Sequence, residues 1–201
     1  MSEAAIRTDI KSHLSGRCVR SPGTRWIEEM EVCAGRGRVD LAVITDRLIG
    51  IEIKGPRDSL ARLTGQASHY SRCFDVIILV AHERWTVKAM NIIPPWWGFI
   101  QGSDAAGKYT YRLVRRPTIN DQVDMGALVG LLWREEIARI FKEYLNRAMP
   151  VRSPKRALRA QLLNQVAPKT LKAASLEALR QRDRWRTREG APSGDVVTCG
   201  E

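Results

Sequence analysis

Arg38-Val-Asp-Leu-Ala-Val-Ile-Thr-Asp-Arg-Leu-Ile-Gly-Ile-Glu-Ile-Lys54 restricts the fold of this chain more than any other stretch. It reads as two short apolar strands joined by a tight turn at Asp46-Arg47, with Asp40 on the first strand and Glu52 and Lys54 on the second. Side chains alternate across a strand, so Glu52 and Lys54 share one face while Ile51 and Ile53 fill the other. Apolar strands seldom bury a carboxylate and an amine unless these are paired or hold a metal. Two carboxylates on adjacent strands suit a hard divalent cation, and a lysine beside them can stabilise developing negative charge or position a water. The same alternation also describes the solvent face of an edge hairpin, where Glu52 and Lys54 would form a surface pair of little energetic value.

The flanking segments give this hairpin a setting. Ile6, Ile10 and Leu14 recur at helical spacing over residues 2–14, with Ser2 as a candidate N-cap. Trp26 to Cys33 reads as a strand with Ile27, Glu29 and Glu31 on one face and Glu28, Met30 and Val32 on the other. If it lies beside the Asp40 strand, Glu29 is its candidate for the metal site. Gly55-Pro56 stops the central hairpin, and Asp58 or Ser59 can cap a helix running to about Cys73. Phe74 to Ala81 is a strand buried on both faces, His82 to Met90 a short helix, Pro94 to Ile100 a turn entering a strand, and Tyr109 to Arg115 a further strand. The order strand, strand, helix, strand implies a mixed α/β sheet. Trp96 and Trp97, tandem aromatics at a strand entry, are assigned to the core rather than to base stacking.

A single amphipathic helix is expected from Met125 to Met149, ended by Pro150. Two basic helices then follow over 151–189, separated near Pro168. Charge matters most here. The net charge is +11, and Arg147 to Glu189 carries twelve Lys/Arg against three acidic residues. Such a segment favours a polyanion, nucleic acid before membrane, since no apolar face with membrane-seeking aromatics accompanies it. No apolar run is long enough to span a bilayer and no signal core opens the chain, so a cytoplasmic location is expected. Cys18, Cys33, Cys73 and Cys199 lack C-x-x-C spacing and are read as free thiols. His13 and His82 have no partners at ligand spacing, and no G-x-S-x-G elbow supports serine hydrolase chemistry.

Asp40, then Glu52-Ile53-Lys54, then Gln66-Ala-Ser-His-Tyr70 resembles the D…E-x-K…Q-x-x-x-Y pattern of the PD-(D/E)XK nuclease superfamily, in its RecB-like branch. The resemblance covers about residues 25–82 and extends to small stand-alone bacterial members. One departure is Val39, where a proline often precedes the aspartate. The resemblance implies a restriction-endonuclease-like α/β core over 1–120; the apolar spacing and charge of the rest are read as a helical basic extension over 121–189, and the Gly/Pro/Ser-containing end as a disordered tail over 190–201. It also implies Mg²⁺ or Mn²⁺ held by Asp40, Glu52 and the Ile53 carbonyl, with Lys54 orienting the attacking water and Gln66 and Tyr70 at the mouth of the site. His69, between them, could serve as a general base. Arg38, Arg57 and Arg62 near the hairpin and Lys155, Arg156, Arg159, Lys169 and Lys172 in the extension are the candidate phosphate contacts. The expected partner is DNA, with RNA open as a substrate, a non-catalytic DNA-binding protein on the same fold as the alternative, and a dimer among the possible oligomeric states.

Overall fold

The computed structural model describes residues 3–17, 23–105, 108–182 and 185. Ser2, Cys18, Cys199 and the expected disordered tail over 190–201 lie outside them. The chain is mixed α/β, with helices on both faces of a six-stranded mixed sheet in the order β1-β2-β3-β4-β5-β6. The strands are β1 (Arg25–Val32), β2 (Gly37–Ile44), β3 (Leu48–Lys54), β4 (Val76–His82), β5 (Gly98–Ala105) and β6 (Lys108–Arg115). β1, β2 and β3 form an antiparallel meander. β3, β4 and β5 run parallel, and β6 returns antiparallel to β5. The parallel links need crossovers, supplied by α2 (Leu63–Cys73) and by a 3-10 turn leading into α3 (Thr86–Met90).

Helix α1 (Glu3–Arg17) covers one face. Ile6, Ile10 and Leu14 pack there on Leu41, Val43, Ile51, Ile53 and Val80. The opposite face holds the larger core, under α2, α4 (Met125–Gly130), α5 (Arg134–Leu145), α6 (Lys155–Gln165) and α7 (Pro168–Gln181). Gly50 permits the close seat of α2, because a Cβ there would stand 3.1 Å from the Phe74 ring. Among the described residues no helix is long and apolar enough to cross a membrane.

Three expectations change. Ile27 and Met30, assigned to opposite faces of β1, both enter the larger core. Glu29 takes a positive φ of 54°, which interrupts the alternation, so that Glu28 and Glu29 both turn toward α1 and meet Lys11 at 3.0 Å and Arg7 at 3.3 Å. The helix expected from Met125 to Met149 is two helices. Glu136 accepts the Trp133 amide proton at 2.6 Å, which starts a new helix after residues 131–133. Finally, the C-terminal helices are not an appended arm. Leu158, Leu162, Leu171, Leu176 and Leu179 belong to the same core as β2 and α2.

Candidate active site

The turn joining β2 to β3 is closed by the Thr45 amide donating to the Arg47 carbonyl at 2.9 Å. The ladder runs from there to the Leu41–Ile51 pair, one step short of Asp40 and Glu52. Beyond it Asp40 Oδ2 replaces the backbone acceptor and takes the Ile53 amide proton at 2.6 Å. The two carboxylates therefore stand across neighbouring strands where the pair opens, on the floor of a cavity of about 680 Å³.

Glu52 is 1% exposed and Lys54 5%, so they do not form a solvated edge face. Lys54 Nζ donates to Glu52 Oε1 at 2.6 Å. Gln66 Nε2 donates to the same oxygen at 2.6 Å. The Tyr70 hydroxyl lies 2.9 Å from Glu52 Oε2 and 2.5 Å from the Arg38 carbonyl. A buried carboxylate is tolerable only with such compensation, and here three side chains from β3 and α2 provide it. The helical period puts Gln66 and Tyr70 four residues apart on the face that crosses β3. Burial pushes the Tyr70 hydroxyl far above its ordinary titration range, with the negative charges of Glu52 and Asp40 adding to the effect. Tyr70 is thus a permanent donor rather than a proton carrier.

Tyr70 is itself fixed by aromatic packing. Trp97 is fully buried and stacks on it at 6.2 Å and 14°, and Phe74 meets it edge-on at 5.9 Å, so Trp97 is core as expected. Gly37 lets the β1–β2 hairpin close against α2, since a Cβ there would lie 3.1 Å from Tyr70 and 3.3 Å from His69. Tyr70→Phe should therefore keep the packing and remove the donor to Glu52. Leaving a buried acceptor short of a partner costs about 1–3 kcal/mol, and a thermal melt should record it as a Tm lower by roughly 3–10 °C.

Asp40, Glu52, Ile53, Lys54 and Gln66 all line the cavity. Glu29 does not join them. Its carboxylate is held between Arg7 and Arg38 at 3.3 Å each, and Glu31 lines the cavity in its place. Arg38 and Arg62 line the cavity, and so does Arg36. Arg36, in the turn between β1 and β2, was not among the candidate contacts. Arg57 is exposed in the turn after β3 and is not part of the wall.

The basic residues of the C-terminal helices divide. Arg156 and Lys169 are exposed and Lys155 is half-buried, and none of the three lines the cavity. Arg159 is buried and donates to the Gly130 and Leu132 carbonyls at 2.7 and 3.2 Å. Lys172 pairs with buried Asp75, which also accepts the Leu48 amide proton. Leu48 and Lys54 are the two ends of β3, six residues apart and so about 20 Å. Arg159 and Lys172 therefore serve the fold, and their assignment as phosphate contacts is withdrawn.

Asp58 and Ser59 do not cap α2. Asp58 Oδ2 accepts the Gly55 amide proton at 2.6 Å and Ser59 Oγ the Ala61 amide proton at 3.1 Å. They close turns that bring Asp58 and Arg62 onto the cavity wall.

Asp40 and Glu52 match a hard divalent cation in donor type. The Ile53 carbonyl lies on the same side of its strand as the amide that meets Asp40, and Gln66 Oε1 is a buried acceptor without a partner. The protein would fill only part of a coordination shell, since among the described residues no group of three or more His, Cys, Asp or Glu is placed to hold a metal. Water and substrate oxygens would complete it, the usual habit of Mg²⁺.

Comparison with known proteins matches residues 1–189 to the family described as bacteriophage P4 protein cII. The curated relative "Protein cII" of Enterobacteria phage P4 is 23% identical over 118 residues, 59% of this chain and 45% of that protein. The match thus spans less than half of the relative's length. No solved structure matches.

Proposed function

The chain belongs to the bacteriophage P4 protein cII family, and we propose that it is a metal-dependent nuclease that hydrolyses DNA phosphodiester bonds on a restriction-endonuclease-like core. The observation that carries this reading is the convergence on Glu52 of Lys54, Gln66 and Tyr70, at 2.6, 2.6 and 2.9 Å. These are the residues that resemble the PD-(D/E)XK pattern; Glu52, Lys54 and Gln66 line one open cavity with Asp40, while Tyr70, expected at the mouth of the site, is fully buried and does not line it. The phage relative suits a role in phage or mobile-element DNA processing, beside repair and restriction.

In this reading Asp40, Glu52 and the Ile53 carbonyl hold Mg²⁺ or Mn²⁺, which supplies Lewis acidity and a nucleophilic water at neutral pH. Arg36, Arg38 and Arg62 receive the phosphates on either side of the scissile one, a contact that positions the strand without reading its bases. Lys54 orients the attacking water and offsets the charge that builds on the phosphoryl oxygens. Tyr70 and Gln66 hold the Glu52 carboxylate in one orientation, so that little reorganisation is needed when the phosphate arrives.

A second reading is a non-catalytic DNA-binding protein on the same fold. It is favoured by the state of Glu52, whose two oxygens already have protein donors. Supercoiled, linear duplex and single-stranded DNA incubated with the protein in Mg²⁺ or Mn²⁺ separates the two. The nuclease reading expects metal-dependent cleavage that EDTA stops, and Mn²⁺ binding measurable by calorimetry. Metal-independent DNA binding with neither cleavage nor Mn²⁺ binding would establish the second.

A further inference from the structure

His69 lies on the same cavity wall as Gln66, and nothing in the mechanism above uses it. From its placement we infer that His69 is the general acid that protonates the leaving oxygen of the cleaved strand; this inference rests on the nuclease reading. Its Nδ1 lies 2.8 Å from the Gly65 carbonyl. A carbonyl can only accept, so Nδ1 carries a hydrogen and Nε2 is the atom that exchanges a proton. The residue's backbone position is fixed by two further contacts. Its Cβ lies against Gly37, and its own carbonyl accepts from Cys33 Sγ at 3.6 Å.

The other proton carriers of the cavity are committed. Lys54 is bound to Glu52, and the Tyr70 hydroxyl is held in its protonated form by burial and by Glu52. An alkoxide leaving group is expelled poorly without a proton, and a placed acid contributes about 10²–10⁴-fold.

The charges sharing the cavity with His69 are Glu31 of β1, Arg36 of the turn and Arg38 and Asp40 of β2. Glu52 and Lys54 of β3 and Asp58 and Arg62 of the connection to α2 complete them. Four carboxylates thus share the cavity with four cations. The step is then complete in atoms. The water oxygen forms the new bond to phosphorus and gives its proton to solvent. The bond from phosphorus to the bridging oxygen breaks, and that oxygen takes the Nε2 proton of His69, which solvent restores.

The test compares wild type, His69→Gln, His69→Ala and Asp40→Ala on two oligonucleotides. One has ordinary linkages. The other carries sulfur in place of the leaving bridging oxygen, identified from the product ends, and a thiolate leaves without a proton. With Mn²⁺, both His69 variants should lose about 10²-fold or more on the ordinary linkage. They should stay within about threefold of wild type on the sulfur linkage, and should lose the limb of the pH profile on which the rate falls as pH rises. Equal losses on both linkages would make His69 structural, and no loss on either would exclude it from the chemistry. Cleavage by wild type that Asp40→Ala abolishes keeps the nuclease reading standing in both cases. Absence of any wild-type cleavage overturns that reading and this inference together.

Discussion

Asp40→Ala is expected to lower metal-dependent DNA cleavage by about 10²–10³-fold or more while changing Tm by only a few degrees. The separation of the two effects comes from where Asp40 sits. It is partly exposed and accepts the Ile53 amide proton at the point where the β2–β3 ladder has already ended. In the variant, water can take that amide, and exchanging this hydrogen bond costs about 1 kcal/mol. The cation would lose one of two carboxylates, and a remaining single carboxylate cannot place it. Lys54→Ala should differ in kind. It removes the ammonium from a glutamate that is 1% exposed, so activity and stability fall together. Pairing Lys54→Met with Glu52→Gln removes both charges at once and should recover much of the stability without any activity. Cleavage assays run beside thermal melts on all four proteins read both quantities. An Asp40→Ala protein that cuts at the wild-type rate would remove this site from consideration.

The hairpin was legible because its two periods are unambiguous: apolar residues on one face, Glu52 and Lys54 on the other, and a turn at Asp46-Arg47 that both strands flank. Residues 2–14 were legible for the same reason, since Ile6, Ile10 and Leu14 fall on one helical stripe and all are buried. β1 was not. Ile27 and Met30 share a face only because Glu29 adopts the left-handed region, a conformation no residue pattern announces for a glutamate. In that conformation Glu28 and Glu29 meet Lys11 and Arg7 of α1, and Glu29 stands away from the site for which its spacing had suggested it.

In the C-terminal third the charge count outweighed the apolar pattern. Leu158 and Leu162, and then Leu171 and Leu179, stand at helical spacings that are plain in the sequence, yet the twelve Lys/Arg from Arg147 to Glu189 made charge the basis for reading two basic helices that favour a polyanion. The structure shows how both hold. The leucines enter the sheet's larger core, while Arg159 and Lys172 turn inward to carbonyls and to Asp75. A formal charge count therefore overstates how much free charge these helices present. The cations Arg36, Arg38 and Arg62 line the cavity together with Asp40 and Glu52.

Arg182→Ala should be among the most destabilising single changes in the chain. Arg182 Nε and Nη2 donate to the two carboxylate oxygens of Glu136 at 2.7 and 2.6 Å, and Nη2 also donates to the Leu131 carbonyl at 2.8 Å. The guanidinium lies over the rings of Trp133 and Trp185, 4.2 and 4.3 Å from their centroids. Both partners of the pair are buried. Glu136 has a second task, since it accepts the Trp133 amide proton that begins α5. Removing the arginine strands a buried carboxylate, a cost of about 3–5 kcal/mol, or roughly 10 °C in Tm for a chain of this size. Arg182→Met with Glu136→Gln should be markedly milder than Arg182→Ala alone, because no charge is stranded and a glutamine oxygen can still accept from Trp133. Urea unfolding followed by tryptophan fluorescence gives the three stabilities, and the variant's native spectrum should shift as the two indoles lose their cation. If Arg182→Ala unfolds within about 1 kcal/mol of wild type, the pair is a surface-like contact that water replaces, and the coupling of α7 to the start of α5 must be carried by the leucines instead.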